Sequence, residues 1–126
     1  KTVMINSGDI NGTPVHANYD ILTTLLRDEL KFEGVAVTDW EDIYKLENLH
    51  RVAANKKEAV KMAIMAGIDM SMVPNDFQFC DLLVQLVKEG AIPESRLDLS
   101  VRRKEEFLEL VKTNSFLCLV LIKTID

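Results

Sequence analysis

The amino-acid sequence predicts an α/β fold with a parallel sheet. Three short runs suited to β-strands, at positions 3–5, 35–37 and 68–72, begin at intervals of about 30 residues. Segments with helical spacing of apolar residues lie between and after them. This alternation indicates βαβ units, and strands made almost entirely of apolar residues indicate a sheet covered on both faces.

Four segments are predicted to be helices because their apolar residues recur every three or four positions. The first follows Asn18 and Asp20, either of which can cap a helix, and the second ends before Gly67, which suits the position after a helix. The third ends at Gly90, and the fourth opens at Pro93. The apolar positions are Ile21, Leu22, Leu25, Leu26 and Leu30; Ala59, Val60, Ala63, Ile64 and Ala66; Leu82, Leu83, Leu86 and Val87; and Leu97 and Val101.

Two architectures fit this alternation, a doubly wound sheet and a (β/α)8 TIM-type barrel. No strand is followed by a glycine-rich phosphate-binding loop, which disfavours a nucleotide-binding sheet. A closed barrel needs about 250 residues. A chain of 126 residues with about three βα units would therefore hold only part of one.

Composition and charge disfavour several other classes of protein. The chain is 48% hydrophobic and 28% charged, with a formal net charge of −5, and it has no basic block of the kind that binds nucleic acid. Cys80 and Cys118, like His16 and His50, are too far apart in sequence to indicate a disulfide framework or a zinc site. We therefore expect no metal, no cofactor and no nucleic-acid partner.

Membrane insertion and export signals are not visible either. The longest apolar stretch, residues 116–122, is far shorter than the ~20 residues that cross a bilayer. The chain opens without a basic segment followed by an apolar run, and without Met, so we expect its natural start to lie upstream.

Reactive groups of parallel α/β proteins collect at the carboxyl ends of the strands. Asp39 is the strongest candidate by position, because a carboxylate at the end of a buried strand is held rigidly at the mouth of the sheet. Trp40 offers a flat apolar face for a sugar ring or another planar ligand. In the alternative interpretation, Asp39 caps a helical turn and Trp40 packs against a neighbouring loop.

Other polar residues near the strand ends have structural explanations. Asp69 lies inside the third predicted strand, where we expect it to bond to backbone or to a buried base. We expect His16 in a loop. Turn chemistry or a helix start explains Asp9, Asn11, Gly12, Glu41 and Asp42.

Several motifs in series resemble glycoside hydrolase family 3. Residues 3–14, VMINSGDINGTP, are similar to the sixth-strand region of that family, and residues 22–34, LTTLLRDELKFEG, continue it. Residues 35–40, VAVTDW, look like the nucleophile signature, in which Ser or Thr precedes Asp-Trp. AGIDMSM at 66–72 and VRR at 101–103 follow in the family's order.

The resemblance implies that residues 1–103 are the C-terminal portion of the family's N-terminal (β/α)8 barrel. It also implies a β-glucosidase-like enzyme that removes β-linked sugars from the non-reducing end with retention. Asp39 matches the nucleophile, Trp40 an aromatic residue of the sugar-binding mouth, and Ser7 the position of a tyrosine that many members carry near the nucleophile. The acid/base of this family comes from a second domain, and nothing in the chain matches it.

The likeness ends after Arg103. The family usually continues with Ile-Leu-Arg-Leu-Lys and a Gly-Leu-Phe stretch, whereas this chain has KEEF at 104–107. We interpret residues 104–126 as a divergent tail, with a frameshift or a truncation as the hypothesis for its origin. The family includes exported bacterial enzymes, which makes the periplasm or the cell exterior candidate locations of a parent enzyme; the sequence itself fixes neither.

Two functions of different classes stay open. The first is a fragment of a retaining β-glycosidase, acting on a β-linked oligosaccharide or glycoside and inactive alone because its acid/base is missing. The second is a non-catalytic module that binds a partner or self-associates through exposed strand edges and apolar helix faces. A third, in which Asp39 ligates a metal or a phosphate, is disfavoured by the lack of a second acidic strand end.

Overall fold

A computed structural model of the protein describes residues 1–73 and 76–113. Its strands are β1 (Thr2–Met4), β2 (Asp9–Ile10), β3 (Thr13–Pro14), β4 (Val35–Trp40) and β5 (Met70–Met72). Its helical elements are a 3-10 turn (Val15–Ala17), a π-helix (Asp20–Glu29), α1 (Asp42–Asn48), α2 (Lys56–Ala66), α3 (Gln78–Lys88) and α4 (Glu94–Thr113). The apolar stretch 116–122 lies outside the described residues.

The main sheet is parallel, as the alternation of strands and helices predicted. Its strand order is β1-β4-β5, and both neighbouring pairs run in the same direction. Val3 lies opposite Ala36, and Val37 lies opposite both Met4 and Met70. The carboxyl ends of the strands therefore meet at one edge of the sheet. This edge carries Asp39 and Trp40, the candidate site residues predicted from the sequence.

The helix between β1 and β4 has hydrogen bonds that span five residues, where the sequence spacing predicted the four of an α-helix. Its last turn closes by a bond from the Leu30 N–H to the Leu25 carbonyl at 2.9 Å, five residues back. Asn18 supports its start, since the side-chain oxygen accepts the Ile21 N–H at 3.2 Å. The predicted helix is present, but with π rather than α geometry.

Gly67 ends α2 and lets the π-helix approach. It has φ of 135°, which disfavours any side chain, and a Cβ there would lie 3.1 Å from Leu22. Thr23 fixes the same contact by donating its hydroxyl to the Ala66 carbonyl at 2.8 Å. The glycine predicted from sequence to follow the helix thus also sets the helix-to-helix distance.

The core lies between one face of the sheet and the helices. Its fully buried members include Leu22, Ala36, Ile43, Leu46, Val60, Ala63, Ile68 and Ile92. The other face is open around Val37, because Met4 and Met70, which flank it there, are 57% and 45% exposed. Val35, on the same face, is buried. Within the described residues, no helix is long and apolar enough to span a membrane.

The carboxylate of Asp69 joins the sheet to two helices just before β5. Its side chain is completely buried. It accepts bonds from the guanidinium groups of Arg27 (2.7 Å), Arg103 (3.0 Å) and Arg96 (3.5 Å), the hydroxyl of Ser100 (2.7 Å) and the backbone N–H of Ala36 (3.0 Å). The expectation that Asp69 bonds to backbone and to buried bases is confirmed.

We expect Asp69→Ala to lower the free energy of unfolding by about 3–5 kcal/mol, because it leaves three largely buried guanidinium groups without their shared anion. Urea unfolding followed by far-ultraviolet circular dichroism measures this change. Asp98→Ala, an exposed acid on α4, is the matched control. Equal stability of the two variants would contradict the role assigned to Asp69.

Candidate active site

The end of β4 is irregular where Asp39 sits. Val37 pairs with Met70 and Trp40 pairs with Met72, so three steps along β4 match two along β5. The fully buried hydroxyl of Thr38 accepts the Met72 N–H at 2.9 Å within this irregularity. Such a bulge bends a strand and redirects the side chain beside it.

The Asp39 carboxylate has two contacts. Its Oδ1 accepts the N–H of the adjacent Trp40 at 2.7 Å, and its Oδ2 lies 3.4 Å from Ser7 Oγ, which comes from the loop after β1. The residue is half-buried, whereas Trp40 is 52% exposed. Carboxylate and open aromatic ring therefore share one edge of the sheet, and the helix-cap interpretation of Asp39 is wrong because Glu41 precedes α1.

Glu41 reverses the chain directly after β4. It has a left-handed backbone with φ of 56°, which is uncommon for a residue with a side chain, and its N–H is bonded to the Met72 carbonyl at 2.9 Å. The reversal starts α1 with Asp42, whose side chain is only 1% exposed. Asp42 thus starts a helix, as the sequence predicted, and its side chain is buried there.

Asp42 is the centre of a buried polar cluster. Ser7 donates its hydroxyl to Asp42 Oδ2 at 2.5 Å, and the Lys45 ammonium contacts the other oxygen. His16 Nδ1 lies 3.7 Å from Asp42 Oδ2. The carboxylates of Asp39 and Asp42 therefore both lie next to the hydroxyl group of Ser7.

Burial governs the charge of His16. The residue is 2% exposed in the 3-10 turn, and no described group bonds to its Nε2. Desolvation lowers the pKa of the imidazole from its ordinary value of 6.5, and the nearby Asp42 only partly offsets this. His16 is neutral at pH 7. Lys45 behaves oppositely, because its bond to Asp42 raises the pKa of the ammonium.

The structure brings together the three residues that the resemblance pointed to, Asp39, Trp40 and Ser7. His16 is buried rather than in an open loop. Asp42 starts α1, as the sequence predicted, but its contacts with Ser7 and Lys45 were not predicted. The buried position of Asp42 depends on the left-handed backbone of Glu41, and no local spacing rule signals such a reversal at a residue other than glycine. The turn expected at Asn11-Gly12 is present as the two-residue connection of a β2–β3 hairpin.

The loop after β5 contributes nothing that contacts Asp39 among its described residues. Asp76 pairs with Lys56 at 3.8 Å, and the Lys56 ammonium lies 4.6 Å from the centroid of the Tyr44 ring. Burial and the nearby Asp76 raise the pKa of Tyr44 to about 12. Across residues 1–73 and 76–113, no group of three His, Cys, Asp or Glu side chains is placed to hold a metal ion.

Comparison with known proteins gives consistent matches. The model of the Glycosyl hydrolase family 3 N terminal domain matches residues 1–106. The lysosomal beta glucosidase of Dictyostelium discoideum is 59% identical over 102 residues, which are 81% of this chain and 12% of that protein. The periplasmic beta-glucosidase of Salmonella typhimurium is 37% identical over 100 residues, which are 79% of this chain and 13% of that protein.

Solved structures agree. The crystal structure of the beta-glucosidase from Listeria innocua is 32% identical in sequence and matches with a TM-score of 0.75. The match covers 87% of this chain and 14% of the Listeria chain. That enzyme has also been solved in complex with glucose and with isofagomine. The matched regions are TIM-barrel domains, which favours the partial barrel over the doubly wound sheet. The chain spans only a small part of each of these proteins.

We expect the buried imidazole of His16 to make stability depend on pH. Because the pKa is lowered on folding, the unfolded chain binds more protons just below pH 6.5, so stability is complete above that value and falls as the pH drops towards the folded-state pKa. The slope for one proton is at most about 1.4 kcal/mol per pH unit. Urea unfolding of wild type and His16→Gln over this range measures it.

His16→Gln should flatten the slope of the wild type. A wild-type slope that persists in His16→Gln would contradict the assignment to His16.

Proposed function

The chain belongs to glycosyl hydrolase family 3, and on that premise we propose that it is the nucleophile-bearing part of a retaining β-glucosidase-like enzyme. Its substrate is a β-linked oligosaccharide or glycoside, cleaved from the non-reducing end. The relatives named above are beta-glucosidases, and one of them binds glucose and isofagomine, which supports a pyranose-binding site. The reaction needs neither a metal nor a cofactor.

The position of Asp39 is the observation that carries this proposal. The carboxylate stands half-buried at the carboxyl end of a parallel strand, and the next residue, Trp40, is exposed. One oxygen is fixed by the Trp40 N–H, and the other faces Ser7 across 3.4 Å. A carboxylate held in this way can approach a sugar stacked on the aromatic face.

The chemistry assigned to Asp39 is nucleophilic substitution at the anomeric carbon. A carboxylate oxygen forms a bond to that carbon while the bond to the leaving oxygen breaks, which gives a glycosyl ester on Asp39. Water then attacks the same carbon, releases the sugar and restores the carboxylate. Two inversions give net retention.

A second carboxyl group about 5–5.5 Å away must protonate the leaving oxygen and later activate water. Asp42 is close to Asp39, but it is buried and engaged by Ser7 and Lys45, so a leaving group cannot reach it. We therefore assign the acid/base to a part of the enzyme outside this chain. Trp40 and Ser7 remain the residues proposed to contact the sugar.

Self-association is a second candidate because the main sheet has open sides. β1 and β5 are its outer strands, and an apolar groove beside β1 is lined by side chains that include Met4, Ile21 and Leu25. A parallel sheet is normally covered. Analytical ultracentrifugation distinguishes the candidates, since a clean monomer at micromolar concentration would contradict assembly through these edges.

We expect the isolated chain to show no detectable hydrolysis of an aryl β-glucoside, because protonation of the leaving group is lost. A chromogenic assay at high protein concentration measures this. Turnover that Asp39→Asn abolishes would contradict the assignment of the acid/base to another part of the enzyme.

The nucleophile itself is tested by transplanting the matching segment into the Dictyostelium relative, which is 59% identical to it. The chimera should hydrolyse an aryl β-glucoside, and Asp39→Gly should lower kcat/KM by about a thousandfold or more. Azide should restore turnover in that variant and yield the α-glucosyl azide, because the small anion replaces the carboxylate on the α face.

Asp98→Asn in the same chimera is the matched control and should retain its activity. A β-configured azide product would assign Asp39 to acid/base catalysis instead, and full activity of the Asp39→Gly chimera would remove it from the reaction altogether.

A further inference from the structure

The cluster below β4 contains a group with no role in the proposed reaction, the buried carboxylate of Asp42. We propose that Asp42, acting through the hydroxyl of Ser7, is the positioning residue for the Asp39 carboxylate. This inference rests on the proposed function only in taking Asp39 as the nucleophile. The contacts that carry it are geometric.

The hydroxyl of Ser7 lies nearer to Asp42 than to Asp39. Serine has one proton to donate, and Asp42 Oδ2 at 2.5 Å is the better placed acceptor than Asp39 Oδ2 at 3.4 Å. The 3.4 Å contact with Asp39 Oδ2 is therefore a close approach of oxygen atoms set by Asp42. Asp42 decides where Ser7 stands, and Ser7 limits where Asp39 can turn.

Asp42 itself is held in place by its surroundings. Its side chain is 1% exposed at the first residue of α1, and Lys45 one turn later contacts its other oxygen. His16 closes the remaining side, with Nδ1 at 3.7 Å. A buried carboxylate that is bonded to Ser7 and paired with Lys45 has little freedom to rotate.

Few groups restrain Asp39 itself. Apart from the N–H of its own neighbour Trp40, the hydroxyl of Ser7 is the hydrogen-bonding group that lies against this carboxylate in the described chain, and Lys45 acts on it through charge. Loss of Ser7 leaves the Asp39 side chain free to rotate about χ1. The backbone of β4 stays fixed by its pairing with β1 and β5.

The experiment measures the χ1 rotamer of Asp39 in the full 126-residue chain by three-bond couplings to its β protons. Wild type should show the couplings of one staggered rotamer. Ser7→Ala and Asp42→Ala should show averaged couplings, and Ser7→Thr, which keeps the hydroxyl, should restore the single rotamer. Asp81→Asn, an exposed acid in the first turn of α3, is the matched control and should resemble wild type.

Amide spectra and unfolding midpoints of the same variants separate positioning from stability. A merely structural role would change the amide spectrum and the unfolding midpoint but would leave the χ1 couplings of Asp39 as in wild type. If Asp42→Ala does not fold, Ser7→Ala decides the matter. A single Asp39 rotamer in folded Ser7→Ala, or averaging already in wild type, overturns the proposal. Neither result depends on turnover, so failure of the azide experiment would remove the proposed function and leave this one standing.

Discussion

The buried carboxylate of Asp69 is the constraint on which the rest of the structure depends. It collects guanidinium groups from the π-helix and from α4 and also accepts a backbone N–H of β4. A single ion thereby fixes two helices against the central strand. The ion pair of Arg27 has a second effect, because the same guanidinium donates to the carbonyls of Phe32 and Gly34 and so holds the segment that leads into β4.

This clamp and the candidate site lie at different levels of the same strand. Ala36, which donates to Asp69, is three residues before Asp39, a distance of about 10 Å along a strand. At the lower level, the buried carboxylate of Asp69 pairs with three guanidinium groups. The upper level keeps an open aromatic ring and a half-buried carboxylate, and its polar support comes from residues buried beneath them. A reactive group at a strand end needs a strand that is held rigidly and an end that substrate can reach, and β4 has both.

Periodicity was sufficient to predict the three strands of the parallel sheet and the four longer helices, since apolar spacing reports which faces are buried. It placed Asp39 and Trp40 at the correct edge for the same reason. It did not predict α1 or the strands of the β2–β3 hairpin. It could not predict the π geometry of the first long helix or the burial of His16 and Asp42. Those features arise from backbone conformations and contacts between segments more than 25 residues apart, as the Ser7–Asp42 bond across 35 positions illustrates.

The bulge in β4 has a consequence for how the sequence can diverge. Thr38 is fully buried and its hydroxyl acts as the acceptor for the Met72 N–H, a task that a backbone carbonyl performs in a regular ladder. Serine supplies the same oxygen, whereas valine matches the shape of threonine without it and would leave a strand N–H unpaired beneath the carboxylate. The family signature, with Ser or Thr before Asp-Trp, can therefore be understood as a rule about an acceptor atom in the sheet, independent of any contact with sugar.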